Sequence, residues 1–312
     1  MSDFLFALNT VLPLLLLMTT GWVCRRIGLL TGNLVTGINQ LVFRLFLPVN
    51  LCLSVMNTPY DTAIPGTAML LTAFGLLATF TALLFLMPLV EKDRPKIGVM
   101  VQGAARANYA FFGIPLVAML FPGQDTSLAS LMVTVTIPVY NVMSVVALCI
   151  YGEGKANPLR IIRNILLNPL ILGTAIGYIL WLLRIQLPGF LATTLGDLSK
   201  VATPLALFTL GGAIQFSSVK GHLKQLLIVV PLKLVILPLI FMTVGVLLGL
   251  RGVALACLYI AFGAPVAVSS YPMAQQMGGD SELAAELVAV SSTFCILTTF
   301  LFVLAMKSMG LI

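Results

Sequence analysis

The chain has 312 residues, 60% of them apolar and only 9% charged, with a formal net charge of +7 at pH 7. Soluble domains carry about 25% charged residues, so a soluble enzyme or a nucleic-acid-binding protein is excluded, and the surplus of Lys and Arg is read as orienting the chain in a membrane. One histidine and five scattered cysteines (Cys24, Cys52, Cys149, Cys257, Cys295), with no C-x-x-C, point to no metal site, no disulfide framework and no cofactor.

A helix crossing the hydrocarbon needs about 20 residues, and cutting the chain at charged or turn-rich gaps gives ten candidate spans at about 4–23, 33–56, 66–90, 97–121, 127–150, 159–182, 191–216, 222–249, 252–277 and 284–307. The first run is read as a span rather than a cleaved signal, because Asp3 and no basic residue precedes it. The gaps are short and leave no room for a soluble domain. The expected fold is therefore all-α and integral to the membrane.

The gaps after spans 1, 3, 5 and 7 hold or adjoin Arg25, Arg26, Lys92, Arg94, Lys96, Lys155, Arg160, Arg163, Lys220 and Lys224, whereas the opposite side has Arg184, Arg251 and Lys307. That asymmetry makes the odd-numbered gaps cytoplasmic and puts both termini outside. Five spans followed by five then give an inverted repeat, residues 1–151 and 159–312. Pro48 with Pro204 and Pro115 with Pro265 recur at similar offsets.

Span 4 carries Gly103-Ala-Ala-Arg-Ala-Asn-Tyr-Ala-Phe-Phe-Gly-Ile-Pro115 and span 9 carries Ala261-Phe-Gly-Ala-Pro-Val-Ala-Val-Ser-Ser-Tyr-Pro272. A backbone broken at membrane depth leaves polar groups that protein, water or a ligand must satisfy. Paired breaks in the two halves of a chain mark the substrate site of repeat-built transporters. The breaks predict crossed helices whose second halves offer partial positive charge and free N–H groups, which suits a carboxylate. Asn108, Tyr109, Gly113 and Pro115 from span 4, Gly263, Pro265, Ser269 and Ser270 from span 9, and Asn141 from span 5 are the candidate substrate contacts. Asn168-Pro169 in span 6 lines a cavity or bonds a neighbouring helix.

Arg44, Arg106, Lys200 and Lys233 fall within spans, and Asp197 is read as the one acid that does. Such residues are expensive in a bilayer and face a cavity or a partner. Asp197 and Lys200, three apart, are expected to pair with each other. Arg44 or Arg106 can snorkel to an interface, although Arg106 is well placed beside the break. Lys233 touches substrate, is a fixed structural cation or replaces a coupling ion.

Gly37-Ile-Asn39 with Pro48, Asn108 followed by Gly113-Ile-Pro115, Asn168-Pro169, Thr203-Pro204-Leu-Ala-Leu, Lys233-Leu-Val-Ile-Leu-Pro238 and Ala274-Gln-Gln-Met-Gly-Gly-Asp-Ser-Glu-Leu resemble the auxin efflux carrier family, whose bacterial permeases are associated with malate and malonate. The resemblance implies broken, crossing spans 4 and 9, a scaffold of spans 1, 2, 6 and 7 that also dimerises, and a transport part of spans 3–5 and 8–10 that moves as an elevator. It implies that Asn108 contacts substrate. The plant carriers' long loop after span 5 is missing, so the chain looks like the bacterial members.

The expected function is secondary transport of small organic anions such as malate or malonate across the plasma or inner membrane. The alternatives are an anion channel or an export carrier for an auxin-like aromatic carboxylate. The expected partners are the anion, the bilayer and a second copy of the chain, with no nucleic acid. An aspartyl protease needs two membrane aspartates and a metalloprotease needs histidine ligands, so no enzyme is expected.

Overall fold

The computed structural model describes residues 2–58, 66–122, 124, 126–152, 158–213 and 219–312. Lys155 and the end of the seventh span, residues 214–216, lie outside the described residues. The helices, in order, are α1 (Ser2–Arg26), α2 (Gly32–Met56), α3 (Gly66–Val90), α4 (Arg94–Ala105), α5 (Ile114–Leu120), α6 (Leu128–Tyr151), α7 (Pro158–Leu166), α8 (Pro169–Leu182), α9 (Gly189–Ala213), α10 (Gly221–Leu247), α11 (Gly252–Gly263), α12 (Ser270–Gln276) and α13 (Ser281–Ser308). Among the described residues no strand occurs. Five helices, α2, α3, α6, α10 and α13, are long and apolar enough to cross a membrane, and α8 and α11 are shorter apolar helices.

Local chemistry sets the helix ends. Thr31 caps α2 by accepting the Leu34 N–H at 3.3 Å, Asn168 caps α8 by accepting the Leu170 N–H at 2.9 Å, and Asp280 caps α13 by accepting the Leu283 N–H at 2.9 Å. Pro169 follows its cap in the first turn, where a missing N–H costs nothing.

Prolines inside the long helices act differently. Val42–Phe46, Tyr109–Gly113 and Leu232–Ile236 are π turns, each followed by one residue and then a proline: Pro48, Pro115 and Pro238. A proline ring clashes with the carbonyl four residues back. Widening the turn relieves the clash, and the N–H before each proline bonds five residues back instead, Leu47 to Val42, Ile114 to Tyr109 and Leu237 to Leu232. Pro204 does not do this. It sits inside the continuous helix α9, so Pro48 and Pro204 are not equivalent in local geometry.

The packing has two sets of close neighbours, joined where α1 packs on α13 and α6 on α8. In one, α1 packs on α9 and α2 packs on α8 and α9. Small residues bring these backbones together: a Cβ at Gly173 or Gly177 would lie 2.4 Å from the carbonyl oxygen of Pro48 or Cys52. In the other group, α4 packs on α3 and α6, and α11 on α3 and α10. α4 is buried from Ile97 to Ala105 and α11 from Leu255 to Gly263. Helices buried on all sides belong at the centre of a molecule. The outer helices turn large apolar side chains outward, among them Phe74, Phe85, Leu239 and Leu247.

Helix ends meet in two sets. Arg94 donates to the Ile150 carbonyl, Lys224 to the Val90 carbonyl, and the Asp280 N–H to the Pro95 carbonyl. Separately, the Gly252 N–H donates to the Leu311 carbonyl, and Trp181 to the Thr58 carbonyl.

Candidate functional site at the crossing of two broken helices

α4 ends at Ala105, and Arg106 leaves it with an extended backbone; α11 ends at Gly263, and Ala264 does the same. The two extended pieces cross as a short antiparallel bridge between Ala107 and Val266. The Asn108 N–H donates to the Pro265 carbonyl at 2.8 Å, and the Val266 N–H to Ser291 Oγ at 3.0 Å. The chain then re-enters helix on both sides, through the π turn into α5 and through Ser269 into α12. The predicted breaks are thus observed, and they meet.

At the bridge itself the amides of Asn108 and Val266 are taken by protein partners. Side chains bring further polar groups to the crossing. Arg106 is 3% exposed and projects into the crossing. Its Nη2 donates to Asn141 Oδ1 at 2.9 Å and to Ser269 Oγ at 2.7 Å, and its Nη1 to the Met273 sulfur at 2.9 Å. All three partners are neutral, and among the described residues no salt bridge reaches Arg106. A thioether is a weak acceptor. Arg106 Nε has no partner, nor do Gln102 Oε1, Asn108 Nδ2, Ser144 Oγ and Ser270 Oγ, all of them buried. Buried polar atoms are normally bonded. These five lie along α4, its break, α6 and the start of α12, and Tyr109 Oη is in the turn after the break, whereas Thr72 Oγ1 and Gln225 Oε1 lie apart on α3 and α10.

The other named residues fall into place around this centre. Asn141 also donates to Thr174 Oγ1 at 3.1 Å, which ties α6 to α8. Next to it a cavity of about 510 Å³ opens between α6 and α8, lined by Thr134, Pro138, Asn141, Thr174 and Tyr178 among others. Tyr109 is buried with its hydroxyl beside Cys257. Gly113 and Gly263 serve close packing: a Cβ would lie 2.2 Å from Ile260 Cγ2 at the first and 2.7 Å from the Tyr259 ring at the second. The Pro115 side chain lies outside the described residues; its backbone is the second residue of α5. Asn168 is a helix cap whose Nδ2 also reaches the Met277 sulfur at 3.7 Å, beyond the end of α12.

The in-span charges separate. Arg44 is exposed. Asp197 and Lys200 pair with each other at 2.9 Å on an exposed face, with side chains 66% and 79% accessible, so they lie outside the site. Lys233 is completely buried, and its Nζ reaches the Ala105 carbonyl at 3.4 Å. That carbonyl closes α4, where the helix end is partially negative. Asp197 is not the one acid within the apolar spans. Glu286, in the second turn of α13, is 2% exposed and bonds His222 at 3.0 Å.

A polar contact that the sequence did not reveal links the two helix groups. Asn39 on α2, fully buried, donates to Gln275 on α12 at 2.6 Å and accepts from Thr209 on α9 at 3.3 Å. Its partners are far away in sequence and carry no local signature.

Residues 6–303 match the family described as membrane transport protein. A protein named "Uncharacterized transporter" from Methanothermobacter thermautotrophicus is 24% identical over 298 residues, covering 93% of this chain and 95% of its own length. One from Rhizobium meliloti, named "Putative malonate transporter", is 24% identical over 297 residues, covering 92% of each chain. With the family match running nearly from end to end and two transporters aligned over almost their full lengths, this chain belongs to the membrane transport protein family, the auxin efflux carrier family that its motifs resemble.

Proposed function

We propose that the chain is a secondary carrier of small organic anions, with the carboxylate held at the crossing of the two broken helices. The observation that carries this reading is Arg106, a buried guanidinium with only neutral partners and an unused Nε–H. A buried charge needs a counter-charge. A planar guanidinium suits a carboxylate better than any other basic side chain does. Asn108 Nδ2, Ser269 and Ser270 supply further donors.

The carrier reading includes ten spans in a five-plus-five inverted repeat, odd gaps in the cytoplasm and both termini outside. The two sets of helix ends support it: gaps 3, 5, 7 and 9 touch one another, and the gap before α11 touches the C-terminal residues. A scaffold of α1, α2, α7, α8 and α9, a second copy bound through it and a moving part made of the remaining helices complete the proposal. Sliding of one group past the other would carry the site across the membrane. Malonate and malate head the substrate panel, since one relative is named for malonate.

A second reading, an aromatic or other apolar monocarboxylate, has one observation in its favour. The cavity beside Asn141 has mostly apolar walls, with Pro138, Ile171 and Tyr178 among them. Uptake into proteoliposomes separates the two. The panel is malonate, malate and indole-type acids, with counterflow to exclude a channel. Saturable uptake should be lost in Arg106→Gln and Asn108→Ala. Uptake of the best acid that survives unchanged in both variants would sink the site.

A further inference from the structure

Asn141 makes a contact that holding an anion does not require. Its Oδ1 accepts from Arg106 Nη2 at 2.9 Å, and its Nδ2 donates to Thr174 Oγ1 at 3.1 Å. Thr174 in turn donates its hydroxyl proton to the Leu170 carbonyl at 2.7 Å, one turn back on α8. The side chains of Arg106, Asn141 and Thr174 are all buried. They form a row of hydrogen bonds from the crossing to α8. The row spans a boundary, because α6 belongs to one set of packed helices and α8 to the other.

The polarity of the row is fixed. An arginine only donates, so the amide turns its oxygen to Arg106 and its nitrogen to Thr174. A carboxylate only accepts. The unpartnered Nε–H and Nη2 share one edge of the guanidinium, an edge that a bidentate carboxylate can take. Nη2 gives its protons to Asn141 and Ser269, so an anion on that edge would displace one of them. Asn141 faces the way in: with Thr174 it lines the cavity of about 510 Å³ between α6 and α8. An anion arriving there would draw the amide nitrogen to itself, since hydrogen bonds to an ionised acceptor are stronger than those to a neutral one. The amide oxygen would then face Thr174, whose proton is held by Leu170. The bond from Asn141 to Thr174 would be lost.

We propose that Asn141 and Thr174 make this carrier an exchanger of anions. The row ties the two helix groups together while Arg106 holds no anion, an anion on Arg106 releases it, and the site crosses the membrane fast only when loaded. The proposal rests on the carrier reading above. Net uptake requires the substrate-free form to return, whereas exchange of one anion for another never passes through it. Thr174 is therefore a positioning residue that acts through Asn141. A second polar tie joins the same groups, from Asn39 Nδ2 on α2 to Gln275 Oε1 on α12 at 2.6 Å. It makes no contact with Arg106 and holds the loaded and substrate-free forms alike. A contact worth one hydrogen bond changes a rate by about two- to tenfold.

The test is uptake of labelled malonate, malate or an indole-type acid into proteoliposomes holding the full-length protein, with the membrane potential clamped by potassium and valinomycin. Vesicles preloaded with the same unlabelled acid are compared with vesicles that contain none. Wild type should fill the preloaded vesicles faster by about two- to tenfold or more. Thr174→Val keeps the shape and removes the acceptor. It should speed uptake into acid-free vesicles while exchange stays as it was, so that the ratio falls, and Thr174→Ser should restore it. Asn39→Ala should speed both and leave the ratio unchanged. A wild type that fills both kinds of vesicle equally fast overturns the proposal and leaves the carrier reading standing, and this comparison decides even if Thr174→Val does not fold. A wild-type ratio in Thr174→Val, or an equal fall in Asn39→Ala, overturns it as well. If no acid on the panel enters even preloaded vesicles, the carrier reading fails and the exchange proposal with it.

Discussion

At the scale of the residue, Arg106 and Lys233 are two buried cations whose proposed roles in transport can be separated from stability by substitution. Both are buried cations without a carboxylate at salt-bridge distance among the described residues. Removing one partner of a buried charge pair typically costs 2–5 kcal/mol of binding, so Arg106→Gln should lower substrate affinity at least ~30-fold. Arg106→Lys should restore little, because an ammonium lacks the planar fork. Melting temperature should hold or rise in Arg106→Gln, since an unsatisfied buried charge has been removed; a large fall would mean that Arg106 is chiefly a structural tie between α4, α6 and α12. Lys233→Met tests the other cation. With a single long contact to the Ala105 carbonyl, Lys233 should be replaceable without loss of melting temperature. A drop in uptake without a drop in stability assigns it to transport; no change in either means that α4 does not need its cation. These residues differed in how plainly the sequence announced them. Arg106 was visible because it stands two residues before Asn108 in a stretch that Gly and Pro already mark. Glu286 was not. It sits between Ala285 and Leu287 in an apolar run, and its partner His222 lies 64 residues away, so only tertiary packing shows that the acid is paired rather than exposed.

At the scale of the element, the crossing holds because one broken end satisfies the other and a third helix satisfies what is left. Asn108 N–H takes the Pro265 carbonyl, and Ser291 from α13 takes the Val266 N–H. Ser291→Ala should leave that amide unpaired. A buried donor without a partner costs ~1–3 kcal/mol, read as a lower melting temperature, and the loosened crossing should raise KM. A wild-type KM with a lowered melting temperature would confine Ser291 to folding. The breaks were legible because Gly and Pro weaken a helix wherever they stand, and here they cluster with polar side chains in the middle of apolar runs. The wide turns before Pro48 and Pro238 were not, because the sequence shows the proline but not which carbonyl yields to it. Pro204 makes the point: it sits in a helix that stays α-helical around it, whereas Pro48 follows a π turn. The grouping of helices was similarly hidden. Gly173 and Gly177 are spaced for close approach, yet the partner backbone, at Pro48 and Cys52, is known only once the helices are packed.

At the scale of the whole molecule, charge asymmetry and contact geometry make the same argument from independent facts. The basic gaps predicted a common face from composition alone. In the folded chain the start of α4 touches the ends of α6 and α13's cap, and α10 touches the end of α3. Arg251, at the start of α11, belongs with the C-terminal residues through Gly252 and Leu311. Single cysteines placed at Lys92 and at Arg251, with the native cysteines replaced, should therefore be labelled by an impermeant thiol reagent from opposite sides. Arg251→Cys should react from outside intact cells and Lys92→Cys only after the membrane is opened. Labelling of both from one side would break the alternation on which the inverted repeat depends. It would leave the crossing of α4 and α11 intact as the proposed binding site but remove the proposed symmetry by which one group of helices would carry it across.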